Sequence, residues 1–465
     1  MSNIETPRRS AQQQPRFVTG SLLRHILAMT GAGALGLMAI FVGDLANIYF
    51  LSRLNDEAVV AAVGYASSIL FFATSVGIGL SIAATSLVAP ALGAGRRMRA
   101  RRLATNAHLL SLIASVAITL ALWFAIEPLL ELIGARGRTL DLAALYLRIL
   151  VPTLPVLALA ITASAVLRSA GDARRAMFVT LFGAIVNTIL DVILIVHFGL
   201  GIEGAAISSL IARLVMMGIG FYSVYKVHDL LARPKIATLA QDTPAFIQIA
   251  GPAVLTNIAP AVGNGYVTYA IAAYGDAAVA AWAILARLTP VAFGAIYALS
   301  GAVGPIIGQN FGARSSERMR DVFTFSLLTM TAFTGIAWLC LGVLANEIAA
   351  LFNAGGEARD LIVFFCRWLS PLFVFMGALF VANAAFNTLG RAHFSTMLNW
   401  GRATLGTVPF VLLGGKFFGA AGVLAGNMIG GVAFGIIATF SAYKLIDAIG
   451  ETFKPPPNPV AHEVI

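Results

Sequence analysis

Residues 26–50 read ILAMTGAGALGLMAIFVGDLANIYF, and the run carries one charged side chain, Asp44. As a helix rising 1.5 Å per residue, such a run reaches across the hydrocarbon core of a bilayer, about 30 Å thick. The stretch therefore predicts a membrane-spanning helix. It also poses a chemical question, because an ionised carboxylate held in hydrocarbon costs several kcal/mol and ordinarily serves a function.

The pattern recurs to the end of the chain. Of 465 residues, 59% are hydrophobic and 11% charged, and the mean hydropathy is +0.86. A soluble chain of this length needs far more charge to cover its surface. The apolar runs are continuous rather than alternating, which argues against a membrane β-barrel. About twelve spans are expected by the length rule. They lie near 26–52, 59–91, 104–133, 142–167, 176–198, 204–225, 246–274, 278–309, 321–352, 360–388, 394–414 and 420–445. The fold class is all-α, a polytopic membrane protein.

The net charge of +10 does not indicate nucleic acid, because the basic residues fall between apolar runs and form no basic face. One set of loops carries Arg96, Arg97, Arg99, Arg101 and Arg102, then Arg168, Arg174 and Arg175, then Lys226, Arg233 and Lys235, then Arg314, Arg318 and Arg320, then Arg391. The alternate set, with Arg53, Arg136, Glu203, Asp276 and Glu357 among its members, is poorer in Lys and Arg. The richer set faces the cytoplasm, so both termini are expected there. Residues 1–25 read as a loose cytoplasmic tail without a removable signal peptide. FKPPPNPV, 453–460, cannot continue a helix and falls in a cytoplasmic C-terminal tail, 448–465. Cys340 and Cys366 lie in apolar segments and read as buried small hydrophobes, not as a disulfide framework or a metal site.

The chain also repeats itself. AVVAAV at 58–63 resembles AAVAAW at 277–282, and LGAG at 92–95 resembles FGAR at 311–314, both at an offset of 219. The same offset joins Arg148 and Pro152 to Arg367 and Pro371, and Gly171 to Gly390; GIEGAA at 201–206 matches GAAGVL at 419–424 at 218. The expected organisation is an N-lobe over 26–226, a cytoplasmic linker over 227–244 and a C-lobe over 245–447. Each lobe is a bundle of six helices, and the two are pseudo-symmetric parallel repeats. That architecture is a transporter signature, with the path between rocking halves. A receptor or membrane enzyme is the duller alternative, but no HExxH, GxSxG or P-loop motif appears. Without a P-loop, the energy source is an ion gradient.

Two acids stand well inside spans, Asp44 and Asp191. Measured from Arg24 and Arg175, they lie about 30 and 24 Å along their helices, and Ser209 about 12 Å into the sixth from the other end. Asn187 and Asp191, four apart, share a face. At the offset of 219 the second half has Gly263 and Phe410 in place of the acids, so the ion chemistry belongs to the N-lobe. Neutral packing through hydrogen bonds is the plainer reading of either acid.

At these residues the chain resembles the multidrug and toxic compound extrusion (MATE) family. The resemblance rests on FVGDLANIYFLSRL, ALGAGRRMRARRL, LRSAGDARRAMF, VNTILDVILI, GIEGAAISS and IIGQNFGARSSERMR, in that order, and covers roughly residues 20–447. It implies cation-driven efflux of organic, often cationic or amphipathic compounds by alternating access, not enzymatic turnover, from a monomer in the bilayer. Within the family the chain looks most like the DinF-type branch. That likeness implies a cation-coupling site at Asp44, Asn187, Asp191 and Ser209; where some members of the branch carry an asparagine late in the fourth helix, this chain offers Thr162 and Ser164 as supporting groups. The coupling ion is expected to be H+, with Na+ as the alternative at the same oxygens. The seventh and tenth helices, which carry acids in the NorM branch, offer Asn257, Asn264 and Asn383 instead. The first helix lacks the proline frequent in the family and offers Gly31, Gly33 and Gly36 as bending points. Arg213, Arg287 and Arg402 are expected to snorkel or to cap helix ends. A flippase for lipid-linked compounds remains the alternative function.

Overall fold

The computed structural model describes residues 15–52 and 56–453, and among them every regular element is helical. Lipid offers the backbone no hydrogen-bond partner, so an apolar chain of this kind must satisfy its amides within helices. In the N-lobe, α1 is Leu22–Ser52, α2 Glu57–Gly93, α3 Arg97–Leu132, α4 Gly137–Ser169, α5 Ala173–His197 and α6 Gly201–Val227. In the C-lobe, α7 is Ile236–Ala272, α9 Ser316–Val343 and α10 Gly356–Thr388. Between α7 and α9, α8 is a bent pair, Asp276–Ala292 and Gly294–Gly312, with 48° between its arms. Pro290 stands just before that break, where its missing donor and its ring oppose a straight helix.

The last apolar stretch, Ala392–Phe453, is two helices rather than one. Gly419 has φ 62 and ψ −146, and divides α11, 392–418, from α12, 420–453. The two run back to back along small residues. A β-carbon on Gly430 would lie 1.4 Å from the Gly406 carbonyl oxygen, and one on Gly422 1.9 Å from that of Gly414. Only glycine permits that approach. Counted this way the described residues form twelve spans, two pseudo-symmetric bundles of six.

The backbone repeats with the sequence. Left-handed residues recur at the 219 offset as Gly95 with Arg314, Gly134 with Asn353, Gly137 with Gly356, and Gly171 with Gly390. Pro152 and Pro371 both sit in 3₁₀ turns that interrupt α4 and α10. In α10 a π turn over Phe365–Leu369 precedes this break.

The lobes are drawn together at the end that carries the basic loops. A β-carbon on Gly93 of α2 would meet the Gln309 carbonyl of α8 at 1.9 Å. The segment before α1 bridges the same end and is not loose. Phe17 is 1% exposed, and its amide donates to Gln309 Oε1 at 2.9 Å, while Gln309 Nε2 donates to the Ser169 carbonyl at 2.7 Å. Residues 1–14, Arg53 of the outer loop set and residues 454–465, with most of FKPPPNPV, lie outside the described residues.

Residues 228–235 connect the lobes, and the expected linker is helical from Ile236 onward. This connection is tied to α3. Arg101 pairs with Asp229 at 2.9 Å, the Ala232 amide donates to Thr105 Oγ1 at 2.8 Å, and Asp242 accepts from Arg102 at 2.9 Å and Asn106 at 2.7 Å. Asp172, just before α5, accepts from His228 at 2.8 Å and Arg175 at 2.6 Å. Burial alone raises the Asp172 carboxyl, but the hydrogen bonds from His228 and Arg175 outweigh it and hold it well below the usual carboxylate range. Cys366 is buried as expected, whereas Cys340 is exposed.

Candidate cation-coupling site

Three N-lobe helices converge on one carboxylate. Asp191 closes the α-helical part of α5, immediately before a π turn over Val192–His197. Such wide turns shift the helix register and occur often at functional positions. The Asp191 side chain is 0% exposed. Its Oδ2 accepts from Asn47 Nδ2 on α1 and from Asn187 Nδ2 one turn earlier on α5, each at 2.9 Å. Its Oδ1 accepts from the Ser208 hydroxyl of α6. Close approach of α1 to α5 makes this possible, since a β-carbon on Gly36 would lie 2.3 Å from Thr180 Oγ1. Gly36 serves contact, and α1 runs unbroken from Leu22 to Ser52 without a proline.

Asp44 lies on α1 three residues before Asn47, which places both on one face, beside Asp191. Unlike Asp191 it is exposed, and among the described residues no side chain donates to it. The pair is thus asymmetric: one carboxylate is sealed and saturated with donors, and its neighbour is open.

Of the residues expected from the sequence, Asp44, Asn187 and Asp191 come together. Ser209 does not reach Asp191; its neighbour Ser208 takes that place, and Ser209 lies against the hydroxyl of Tyr146, 6% exposed on α4. One residue turns a helix by about 100°, so adjacent serines cannot both face the acid. Thr162 donates to Ser111 at 3.1 Å, and Ser164 accepts from Arg168 at 3.0 Å, so neither supports Asp191. Asn47, Ser208 and Tyr146 were missed. The spacing of Asn47 from Asp44 was the available signal. Arg213 caps the break in α4, donating to the Leu150 carbonyl at 3.2 Å and Thr153 Oγ1 at 2.5 Å. Among the described residues, no three His, Cys, Asp or Glu side chains gather.

The C-lobe carries no matching acid. Asn383 of α10 accepts from Asn399 of α11 at 3.0 Å, and Asn257 of α7 donates to its own helix at 2.8 Å.

The MatE family profile matches residues 33–193 and again 252–413, two blocks that begin 219 residues apart. The chain belongs to the MatE family. Members of this family are membrane transporters, not enzymes, and the duplicated MatE block coincides with the repeat in the backbone. A FAD transporter of Shewanella oneidensis is 28% identical over 437 residues, 92% of this chain and 96% of its own length. The multidrug export protein MepA of Staphylococcus saprophyticus is 23% identical over 443 residues, 93% of this chain and 96% of its own. Among solved structures, a mutant form of the Vibrio cholerae MATE transporter VcmN superposes with a TM-score of 0.88 at 25% identity, covering 92% of this chain and 98% of that one. The MatE protein described here is therefore a multi-pass membrane transporter of small molecules.

Proposed function

We propose that this MatE protein is a proton-coupled antiporter that exports small amphipathic organic compounds by alternating access across a bacterial plasma membrane, with both termini in the cytoplasm. It acts as a monomer of the DinF-like kind. The observation that carries the reading is the buried Asp191 carboxylate, held by Asn47, Asn187 and Ser208 with Asp44 open beside it.

Three donors and no acceptor suit an ionised Asp191. Asp44, which has no side-chain donor among the described residues, is the group free to exchange a cation. A second negative charge beside Asp191 is costly in a low-dielectric bundle, so neutralising Asp44 relieves repulsion between α1 and α5. A proton does this without further ligands. Sodium would ask the amide oxygens of Asn47 and Asn187 to face it, whereas both amides present their NH2 groups to Asp191. The basic end is closed by the Gly93–Gln309 contact and the Arg102–Asp242 pair, which fits an outward-facing resting state. Proton uptake from outside then favours substrate release. Return to the inward state, release of the proton and rebinding of substrate follow. Coupling of this kind requires that proton and substrate prefer different states.

Export of an endogenous metabolite is the second reading, favoured by the 28% identity to a FAD transporter across nearly the whole chain. Expression in a bacterium lacking its major efflux pumps tests the proposal. Raised tolerance to amphipathic dyes, lost in D191N at equal membrane abundance, is the expected result. Unchanged tolerance with flavin accumulating in the medium would favour the metabolite reading, and neither change would refute export.

A further inference from the structure

The C-lobe buries a cation that the coupling site does not use. Arg402 lies on α11 and is 5% exposed. Long basic side chains within spans ordinarily reach the interface or cap a helix break. Arg213 does the latter, and Arg287 is exposed. Arg402 stands in the last turn of the Ala392–Ala403 helix, where the helix C-terminus favours a cation, but among the described residues its side chain donates to none of the carbonyls there. Its Nε is buried without a partner, and among the described residues its guanidinium makes no hydrogen bond or ion pair. The two terminal nitrogens are not sealed as Nε is, so the guanidinium keeps free donors that a bound anion can reach.

The surroundings describe the rest of that anion. Asn399 of α11 donates to Asn383 of α10 at 3.0 Å, and one turn from that bond Arg402 on α11 and Phe380 on α10 stand on the facing sides of the two helices, with Tyr297 of α8 beside Phe380. The rings of Tyr297 and Phe380 are both half-buried, with centroids 5.2 Å apart. Phe373 supports both, at 6.3 Å from Tyr297 and 6.4 Å from Phe380, and is itself stacked on Phe293 at 4.0 Å. Rings held from behind in this way form a rigid platform for a flat aromatic group. The neighbouring polar groups bring no negative charge. Asn383 and Asn399 are bonded to each other and are uncharged.

We propose that Arg402 is the point at which the exported substrate places a negative charge, with Tyr297 and Phe380 receiving its ring, so that the substrates are planar aromatic anions. This rests on the export reading and names its substrate class. A phosphate or carboxylate accepts from the guanidinium, a charge-assisted pairing for which arginine geometry is well suited. A flat cation meets repulsion at the same place.

The test is equilibrium binding to the purified protein in lipid nanodiscs with no gradient imposed. The probes are flavin mononucleotide and riboflavin, which share a ring system and differ by one phosphate. One charge-assisted hydrogen bond predicts that the mononucleotide binds about tenfold more tightly. R402Q is expected to reduce the preference to less than about threefold and R402K to keep only part of it, since Lys retains the charge but not the planar fork of donors. A wild-type preference below that threshold, binding of neither flavin, or an unchanged preference in R402Q overturns the proposal. If R402Q does not survive purification, the wild-type ratio decides alone. Because no gradient is present, failure here leaves proton coupling standing, and loss of proton-driven transport leaves this proposal standing.

Discussion

In the N-lobe Asp191 is sealed among three side-chain donors, while in the C-lobe Arg402, 5% exposed, has no hydrogen-bond acceptor among the described residues. Both sit inside bundles built on one repeated backbone, whose left-handed turns and 3₁₀ breaks recur 219 residues apart. The duplication therefore preserved the scaffold and not the buried charge. A buried ion with its partners built in has a structural and switching role within the protein. A buried ion left without partners is matched from outside, which is why the first reads as a coupling site and the second as a substrate site.

The comparison breaks most sharply at Asp191. D191N is expected to lower gradient-driven efflux by about 100-fold or more, with the protein still inserted, because intramembrane acids of this kind carry function rather than fold. Dye efflux from cells with matched membrane abundance measures it; near-wild-type efflux would mean that Asp191 is packing alone. D191L goes further and strands Asn47, Asn187 and Ser208, so a stability loss of about 1–3 kcal/mol is expected, read as a lowered melting temperature. In the other lobe the sign reverses. Arg402→Met removes an unmatched charge and is expected to leave stability equal or raised by about 1–4 kcal/mol in the absence of substrate. A melting temperature that falls in both variants would erase the contrast between the lobes.

Two smaller effects sharpen it. S208A removes one donor to Asp191 and S209A removes none, so S208A is expected to weaken efflux by about tenfold and S209A by less than about twofold. Equal effects would restore the reading made from sequence. D172N tests the connection between the lobes, where the loss of one charge-assisted interaction is worth about 1–2 kcal/mol. The sign follows from linkage. Asp172 is held below its ordinary range in the folded protein, so its stabilising effect is present at neutral pH, above the unfolded value, and is lost as pH falls through the folded one. Melting curves of wild type and D172N are expected to differ at pH 7 and to converge in acid.

Much of this was legible in the sequence, for identifiable reasons. A carboxylate in a run such as FVGDLANIYF stands out because hydrocarbon penalises it, and a duplication shows as a constant offset wherever turns demand the same conformation. The choice between Ser208 and Ser209 was not legible, because the phase of α6 depends on how it packs against α5 and α4. Nor was the position of Arg402. Sequence places an arginine along a helix but does not reveal whether it faces the interface or the interior, and the interior was the less expected outcome. The break between α11 and α12 was partly visible at Gly419, while the glycine contact that holds them together is a property of the packed pair. The looseness assigned to the N-terminal segment failed at Phe17 because its partners, Gln309, Asn310 and Arg318, lie some 300 residues away.

The central claim is that the Asp44–Asp191 pair couples proton entry to export. Everted membrane vesicles with an acidified lumen, assayed for uptake of an amphipathic dye or of flavin mononucleotide, test it most directly. The account predicts uptake driven by the proton gradient, none from a sodium gradient at constant pH, and loss of gradient-driven uptake in D44N. Uptake that follows sodium instead, or that proceeds unchanged in D44N, would contradict it.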